Sequence, residues 1–238
     1  MSWSRHERIG PVDLYLGDCR EVLPALLEKA DLLVTDPPYR LTSGGRAKGP
    51  GTMSGIFSGA VYDNSGAMMD VLIGWPGMAG PLFEACRADC DAYVMADAKN
   101  VFPAQAAFAG ACWKLHNLLV WDKGRCTANR WYMKNCEFVL YLWKGRARRI
   151  NRCGSGQMHR LSHVKRTAHP AEKPVEVMER FILNSSQPGE IVLDPFAGSG
   201  ATLLAAMRTG RRAIGVESDP RWFGAALERL EQQAAEAA

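Results

Sequence analysis

Along most of the chain, short apolar runs alternate with longer amphipathic stretches. Val12–Leu16 (VDLYL) alternates with period two, and Asp31–Thr35 (DLLVT) is almost continuously apolar, the pattern of a strand covered on both faces. Further strands are predicted at Asp91–Ala96, Leu115–Trp121, Cys136–Trp143, Glu190–Leu193 and Arg212–Val216. Helices are predicted after Gly17-Asp18 through Glu28, then at Met78–Ala88, Val101–Cys112, Pro174–Ser185, Thr202–Thr209 and from Pro220 onward. Proline at the start of the fourth of these is at a favoured position. Leu115–Trp121 and Cys136–Trp143 are long enough to form an antiparallel pair. The alternation predicts an α/β fold with a mainly parallel sheet. Residues 40–66 are rich in glycine and poor in apolar anchors, which predicts a long mobile loop of the kind that is either functional or disordered. There is no internal repeat, and the terminal EQQAAEAA reads as a fraying helix tail.

With 238 residues, 47% of them hydrophobic and 23% charged, the chain can bury a substantial core and is not a disordered segment. It is read as a single domain over 1–238. No apolar run reaches the length of a membrane helix, and the N-terminus lacks the apolar stretch of a secretory signal, so a cytoplasmic protein with no membrane partner is expected. The seven cysteines are irregularly spaced, without any CxxC, which fits reduced thiols. Cys86 and Cys90 could share a helix face, but with no second pair nearby no metal is expected.

The net charge of +4 conceals its distribution. Between Lys144 and Arg166 there are eight basic residues and no acidic one, leaving 21 basic against 25 acidic in the remainder. A mildly acidic body with one concentrated basic segment points to a polyanionic partner.

Two turns carry candidate chemistry. The strand ending at Leu193 runs into Asp194-Pro195-Phe196-Ala197-Gly198-Ser199-Gly200 and then a helix. Glycines there let the backbone approach a ligand and aim helix N–H groups at it. The chain has no GxxxxGK[ST], and the third glycine of a dinucleotide fingerprint is replaced by Leu203. The next strand ends in Glu217, where a ribose diol is commonly held, so the pattern suits a nucleoside cofactor without a pyrophosphate. The other turn, Asp36-Pro37-Pro38-Tyr39, follows a buried strand directly. Its prolines remove two N–H donors and fix the backbone, presenting a carboxylate, a carbonyl and an aromatic ring at a strand's C-terminal end.

Together, DPPY at 36–39, DPFAGSG at 194–200, Glu217 and His169-Pro170-Ala171-Glu172-Lys173-Pro174 resemble the motifs of S-adenosylmethionine-dependent amino-DNA methyltransferases. The catalytic motif precedes the cofactor motif, which resembles the permuted β class. The resemblance is strong over residues 12–39 and 169–220. It implies a Rossmann-like methyltransferase sheet, mostly parallel with one antiparallel strand pair. It also implies S-adenosylmethionine bound by Asp18, Cys19, Asp36, the segment Asp194, Pro195, Phe196, Ala197, Gly198, Ser199, Gly200 and Thr202, by Glu217 and Ser218, and near its methionine end by His169 and Lys173. Asp36, Pro37, Pro38 and Tyr39 are the implied catalytic residues.

An exocyclic amine on a nucleobase is a poor nucleophile because its lone pair is delocalised into the ring. Hydrogen bonds from it to the Asp36 carboxylate and the Pro37 carbonyl would localise that pair for attack on a sulfonium methyl, by positioning and electrostatics alone. Tyr39 would stack on a target base flipped out of the duplex. Cytosine-C5 methylation would need a Pro-Cys nucleophile in the related family, and none of the 13 prolines precedes a cysteine. Relatives with an initial Asp usually modify adenine N6, so a site-specific adenine-N6 methyltransferase acting on double-stranded DNA is expected. The alternatives are a cytosine-N4 enzyme, an RNA methyltransferase, or a DNA-binding module without activity. No nuclease motif is visible. Residues 144–168 are expected to be a short DNA-recognition insertion, with Arg146, Arg148, Arg149, Arg152, Arg160, Lys165 and Arg166 on phosphates or guanine edges and Arg40, Arg46 and Lys48 adding contacts. By analogy with the class, a homodimer is expected, associated with the nucleoid of a prokaryotic or phage-infected cell.

Overall fold

The computed structural model describes residues 3–39, 50–52, 61–63, 73–124, 132–161 and 173–236. In chain order the elements are β1 (Arg5–Ile9), β2 (Val12–Leu16), α1 (Cys19–Ala25), β3 (Ala30–Thr35), β4 (Pro50–Thr52), β5 (Val61–Asp63), α2 (Trp75–Ala85), β6 (Cys86–Ala96), α3 (Val101–Gly110), β7 (Lys114–Asp122), β8 (Cys136–Lys144), β9 (Met158–Arg160), α4 (Val175–Ser185), β10 (Ile191–Asp194), α5 (Ala201–Arg208), β11 (Arg212–Glu217) and α6 (Pro220–Glu236). Nine strands form one sheet in the order β1-β2-β11-β10-β3-β6-β8-β7-β9. β2, β11, β10, β3 and β6 are mutually parallel, and β8 runs antiparallel to both β6 and β7. The expected α/β class and antiparallel pair are therefore both present.

The alternation of side chains sorts the core. Leu32 and Val34 of β3 point to one face with Val192, Val12 and Leu14, against Met178, Phe181, Leu203 and Phe223 of α4, α5 and α6. Leu33 points to the other with Leu193, Val94 and Val216, against Val22, Met78, Leu82 and Phe108 of α1, α2 and α3. Both faces are covered, which is why the central strands read as unbroken apolar runs. From β10 the sheet grows through β11 and β2 on one side and through β3 and β6 on the other. The switch between β10 and β3 puts the ends of those two strands side by side, the place where open α/β sheets bind ligands.

Three expectations change. The helix predicted to reach Ala88 stops at Ala85, because Cys86 pairs with Ala30 and starts an 11-residue strand. Cys86 and Cys90 therefore lie on β6, not on a helix. The first helix ends at Ala25, just after Pro24, where the chain turns extended at Leu26. β1, unpredicted, is an edge strand whose Arg5, His6, Glu7 and Arg8 hide the strand signal while keeping the edge from pairing with other chains. Within 40–66, residues 50–52 and 61–63 pair as a short antiparallel ladder. No described helix is long and apolar enough to cross a membrane.

Candidate active site

The C-terminal ends of β2, β11, β10 and β3 converge on one sheet edge, bringing Asp18, Glu217, the 194–200 turn and Asp36 together. The turn is built for close approach. Gly198 has φ 52° and Gly200 φ 80°, in the left-handed region that side-chain-bearing residues avoid. A Cβ on Gly200 would also stand 3.1 Å from the Ala226 Cβ of α6. Glu217 braces the turn: its Oε2 accepts from the Gly198 N–H at 2.8 Å and its Oε1 from the Asp219 N–H at 2.8 Å. Burial pushes its carboxyl above the ordinary range, against the pull of those backbone donors.

Asp194 lies beneath the turn. Its Oδ1 accepts from the Thr35 hydroxyl at 2.8 Å and from the Phe196 N–H at 3.2 Å, and Thr202 also bonds to it. Burial pushes it up to about 6. Asp194 and Thr202 are buried, so their part is to hold the turn. Asp18 caps α1, accepting from the Arg20 N–H at 2.8 Å and pairing with the Arg20 guanidinium, which lowers its carboxyl. The Cys19 thiol is buried and raised to about 12, so only its backbone is available to a ligand. Phe196 packs partly into the core, and Ser218 is exposed beside Glu217.

Around Asp36 the structure joins Lys173, already marked by its motif, with Glu137, Lys123 and Trp75, which the motifs did not reveal. Lys173, 7% exposed, places its Nζ 2.9 Å from Asp36 Oδ2 and 3.1 Å from Glu137 Oε2. Lys123 reaches the other Glu137 oxygen at 3.2 Å. Asp36 Oδ1 is buried and has no hydrogen-bond partner among the described residues. Burial raises the Asp36 carboxyl, Lys173 opposes this, and Glu137 adds to it, with a net upward shift. Burial would also raise Glu137, but Lys173 and Lys123 outweigh it and its carboxyl is lowered. Lys173 is held protonated, since its two carboxylates overcome the opposing effect of burial. The Tyr39 ring stacks on Trp75, with centroids 6.0 Å apart and planes 21° from parallel. The signal for Glu137 was available: it is the one acidic residue between Asp122 and Glu172, set at the start of an apolar strand. Trp75 had no such signal, because nothing in its local pattern ties it to residue 39.

The described arginines of the basic segment lie at two different ends of the sheet. β8 runs antiparallel to β6 and carries the chain from Glu137, beside Asp36, to the opposite end of the sheet. There Arg148 donates to the Asp31 carbonyl at 3.3 Å and pairs with Glu190 at 3.2 Å. Five strand residues, roughly 16 Å, separate that end from Asp36. Arg146 engages Asp89 nearby, and Arg149 donates to the Cys153 sulfur. Asn151 next to Arg152 bonds to the C-terminal turn of α4. Of the described arginines in this segment, only Arg160 returns to the Asp36 edge, on β9, where it pairs with Asp122 at 2.7 Å. Arg40, Arg46, Lys48, Lys165, Arg166 and His169 lie outside the described residues. Arg148→Ala is expected to lower stability by about 1 kcal/mol in denaturant titration, the scale of a partly exposed pair. The slope of log K against log salt for DNA binding should not change. A slope reduced by about 0.9 would instead put Arg148 on a phosphate.

Residues 30–228 match the DNA methylase family. The chain belongs to that family. The methylase is 25% identical over 229 residues, 87% of this chain and 84% of the relative, to the type II methyltransferase M2.DpnII of Streptococcus pneumoniae. Among solved structures it resembles the PvuII DNA methyltransferase, described as cytosine-N4-specific, with a TM-score of 0.73, 17% identity and coverage of 98% and 94% of the two chains. It also resembles the putative DNA modification methylase TTHA0409 of Thermus thermophilus, solved complexed with S-adenosyl-L-methionine, at a TM-score of 0.63, 25% identity and 93% coverage of each chain. No group of three or more His, Cys, Asp or Glu among the methylase's described residues could hold a metal ion.

Proposed function

We propose that this methylase transfers a methyl group from S-adenosylmethionine to the N6 amine of an adenine flipped out of double-stranded DNA. The observation that carries the reading is Asp36 Oδ1, a buried acceptor without a partner among the described residues on a carboxylate whose other oxygen holds Lys173. The donor fits the edge beside it. Gly200 keeps side-chain atoms off the turn, and Glu217, with three backbone donors on a carboxylate that can accept about four, retains acceptor capacity for a ribose hydroxyl. When bound, S-adenosylmethionine supplies a sulfonium methyl whose carbon–sulfur bond breaks as the amine nitrogen attacks, leaving a neutral thioether.

Every other part falls to the chain. Asp36 Oδ1 and the Pro37 carbonyl accept the two amine N–H groups and localise the nitrogen lone pair. One amine proton is lost in the transfer, and Oδ1 is the nearby base that can take it. Tyr39, backed by Trp75, offers its ring to the flipped base. Exposed Tyr132, Met133 and Lys134 at the approach to β8 stand on the same side as Arg160, and this edge suits the duplex better than the Arg148 end. A homodimer, the assembly the resemblance implies, would widen that footprint, and sedimentation of the free protein measures it.

The deciding experiment incubates the protein with methyl-labelled S-adenosylmethionine and unmethylated genomic DNA, then separates the nucleosides. N6-methyladenine is expected. N4-methylcytosine would replace the adenine reading, because the acceptor geometry at Asp36 serves either amine. Absence of label in DNA would overturn the function. Glu217→Ala is expected to weaken S-adenosylmethionine by about 1–3 kcal/mol in calorimetry, the scale of lost hydrogen bonds to a charged group. Unchanged affinity would remove Glu217 from the donor site.

A further inference from the structure

Glu137 belongs to none of the motifs, yet it is one residue removed from the reacting carboxylate. It is largely buried as the second residue of strand β8, with each oxygen near a different lysine: Oε2 is 3.1 Å from Lys173 Nζ and Oε1 is 3.2 Å from Lys123 Nζ. Lys173 divides itself between Glu137 and Asp36 Oδ2. Two carboxylates and two ammonium groups therefore balance in one chain of ion-pair contacts, in which Glu137 Oε2 meets Lys173 as a charge and not through a hydrogen bond, and which ends at Asp36 Oδ1, a buried atom that no cation reaches among the described residues. A buried lysine with a single carboxylate partner would be free to settle symmetrically across both its oxygens. Here the pull of Glu137 keeps the ammonium on the Oδ2 side.

We infer that Glu137 is a positioning residue of the transfer reaction: by taking a share of Lys173 it leaves Asp36 Oδ1 open to the target amine. The inference rests on the reading of Asp36 given above. Glu137 also acts on Asp36 as a like charge, which makes its carboxylate a better proton acceptor than one bound to Lys173 alone. Among the described residues, the other ionisable groups that act on this cluster are Tyr39, Asp194 and Asp97, whose influence reaches it through Tyr39 or Asp36.

The test follows the Asp36 carboxyl directly. Its carbon resonance is titrated by NMR in the full-length protein and assigned by its loss in Asp36→Asn. In Glu137→Gln the midpoint is expected to fall by about one pH unit, because a like charge is gone and Lys173 turns wholly to Asp36. In Lys123→Met, where Glu137 is less neutralised, it is expected to rise. These opposite shifts are not the signature of a residue that merely fills space, and the second variant serves if the first fails to fold. With labelled donor and genomic DNA, Glu137→Gln should lose about tenfold to a hundredfold in kcat with little change in KM for the donor. Its acid limb should move to lower pH, and Glu137→Asp should recover part of the rate. An Asp36 midpoint that is unmoved or raised in Glu137→Gln would overturn the inference. A wild-type protein that transfers no methyl to DNA would overturn the reading of the site, and the carboxyl titration would still decide what Glu137 does to Asp36.

Discussion

Asp36→Asn is expected to lower kcat for methyl transfer by about a hundredfold to ten-thousandfold, the range for a positioned acid–base group, with S-adenosylmethionine binding largely intact because the glycine turn and Glu217 carry most of it. The substitution keeps the shape of the side chain and replaces the charged acceptor by an amide that cannot take a proton. The fold has reason to survive it. Lys173 retains Glu137 as its counter-charge, so no ammonium is left buried and alone. Asp36 itself is raised on balance, so its ionised form is a cost to the folded state that asparagine does not carry. Thermal melting should therefore be equal to or slightly above that of the natural protein at neutral pH. Initial rates, donor calorimetry and melting, measured on one preparation, test all three parts. A near-normal rate would remove Asp36 from the chemistry. A large fall in melting temperature would make its role structural.

Lys173→Met should have the largest effect on stability, about 3–5 kcal/mol, as expected when one partner of a buried ion pair is removed. Asp36 and Glu137 would then face each other across an apolar side chain, with Lys123 as the remaining cation. The sign of the pH dependence follows. In the natural protein Glu137 is depressed, so its contribution is present above the unfolded carboxylate range and is lost as pH falls through its folded value. Without Lys173 both carboxyls are raised above their unfolded values. Stability is then greatest below the unfolded range, near pH 4, and declines as pH rises through the raised folded values. The deficit of the variant in urea titration should be small at acid pH and widen towards neutrality. A deficit that does not vary with pH would mean that Lys173 contributes packing and little charge.

The two ends of the site differed in how far local sequence exposed them. Glu217 and the 194–200 turn could be read directly, because a glycine in a left-handed conformation and an acid at a strand tip are local requirements. Asp36 was equally legible, since two prolines after an apolar run leave few backbone options. Glu137 stood out as an isolated acid, but neither it nor Lys123 could be tied to Asp36, because they reach it only through the pairing of β6 with β8 and of β8 with β7. The arginines show the same limit from the other side. A run of charge marks a segment as basic wherever it lies, and only the antiparallel course of β8 separates Arg148 from Arg160.

Sequence by itself determined the α/β class, the covered parallel strands and the identity of the two motif turns, because side-chain periodicity, proline and glycine act over a few residues. Tertiary structure alone decided where the strand after α2 begins, how β1 closes the sheet edge, which arginines share the edge with Asp36, and that Lys173 is divided between Asp36 and Glu137. Those outcomes depend on strand pairing and on the balance of buried charges. Both are set by residues far apart in the chain, as with Lys173 and Asp36 at 2.9 Å, and no local pattern encodes them.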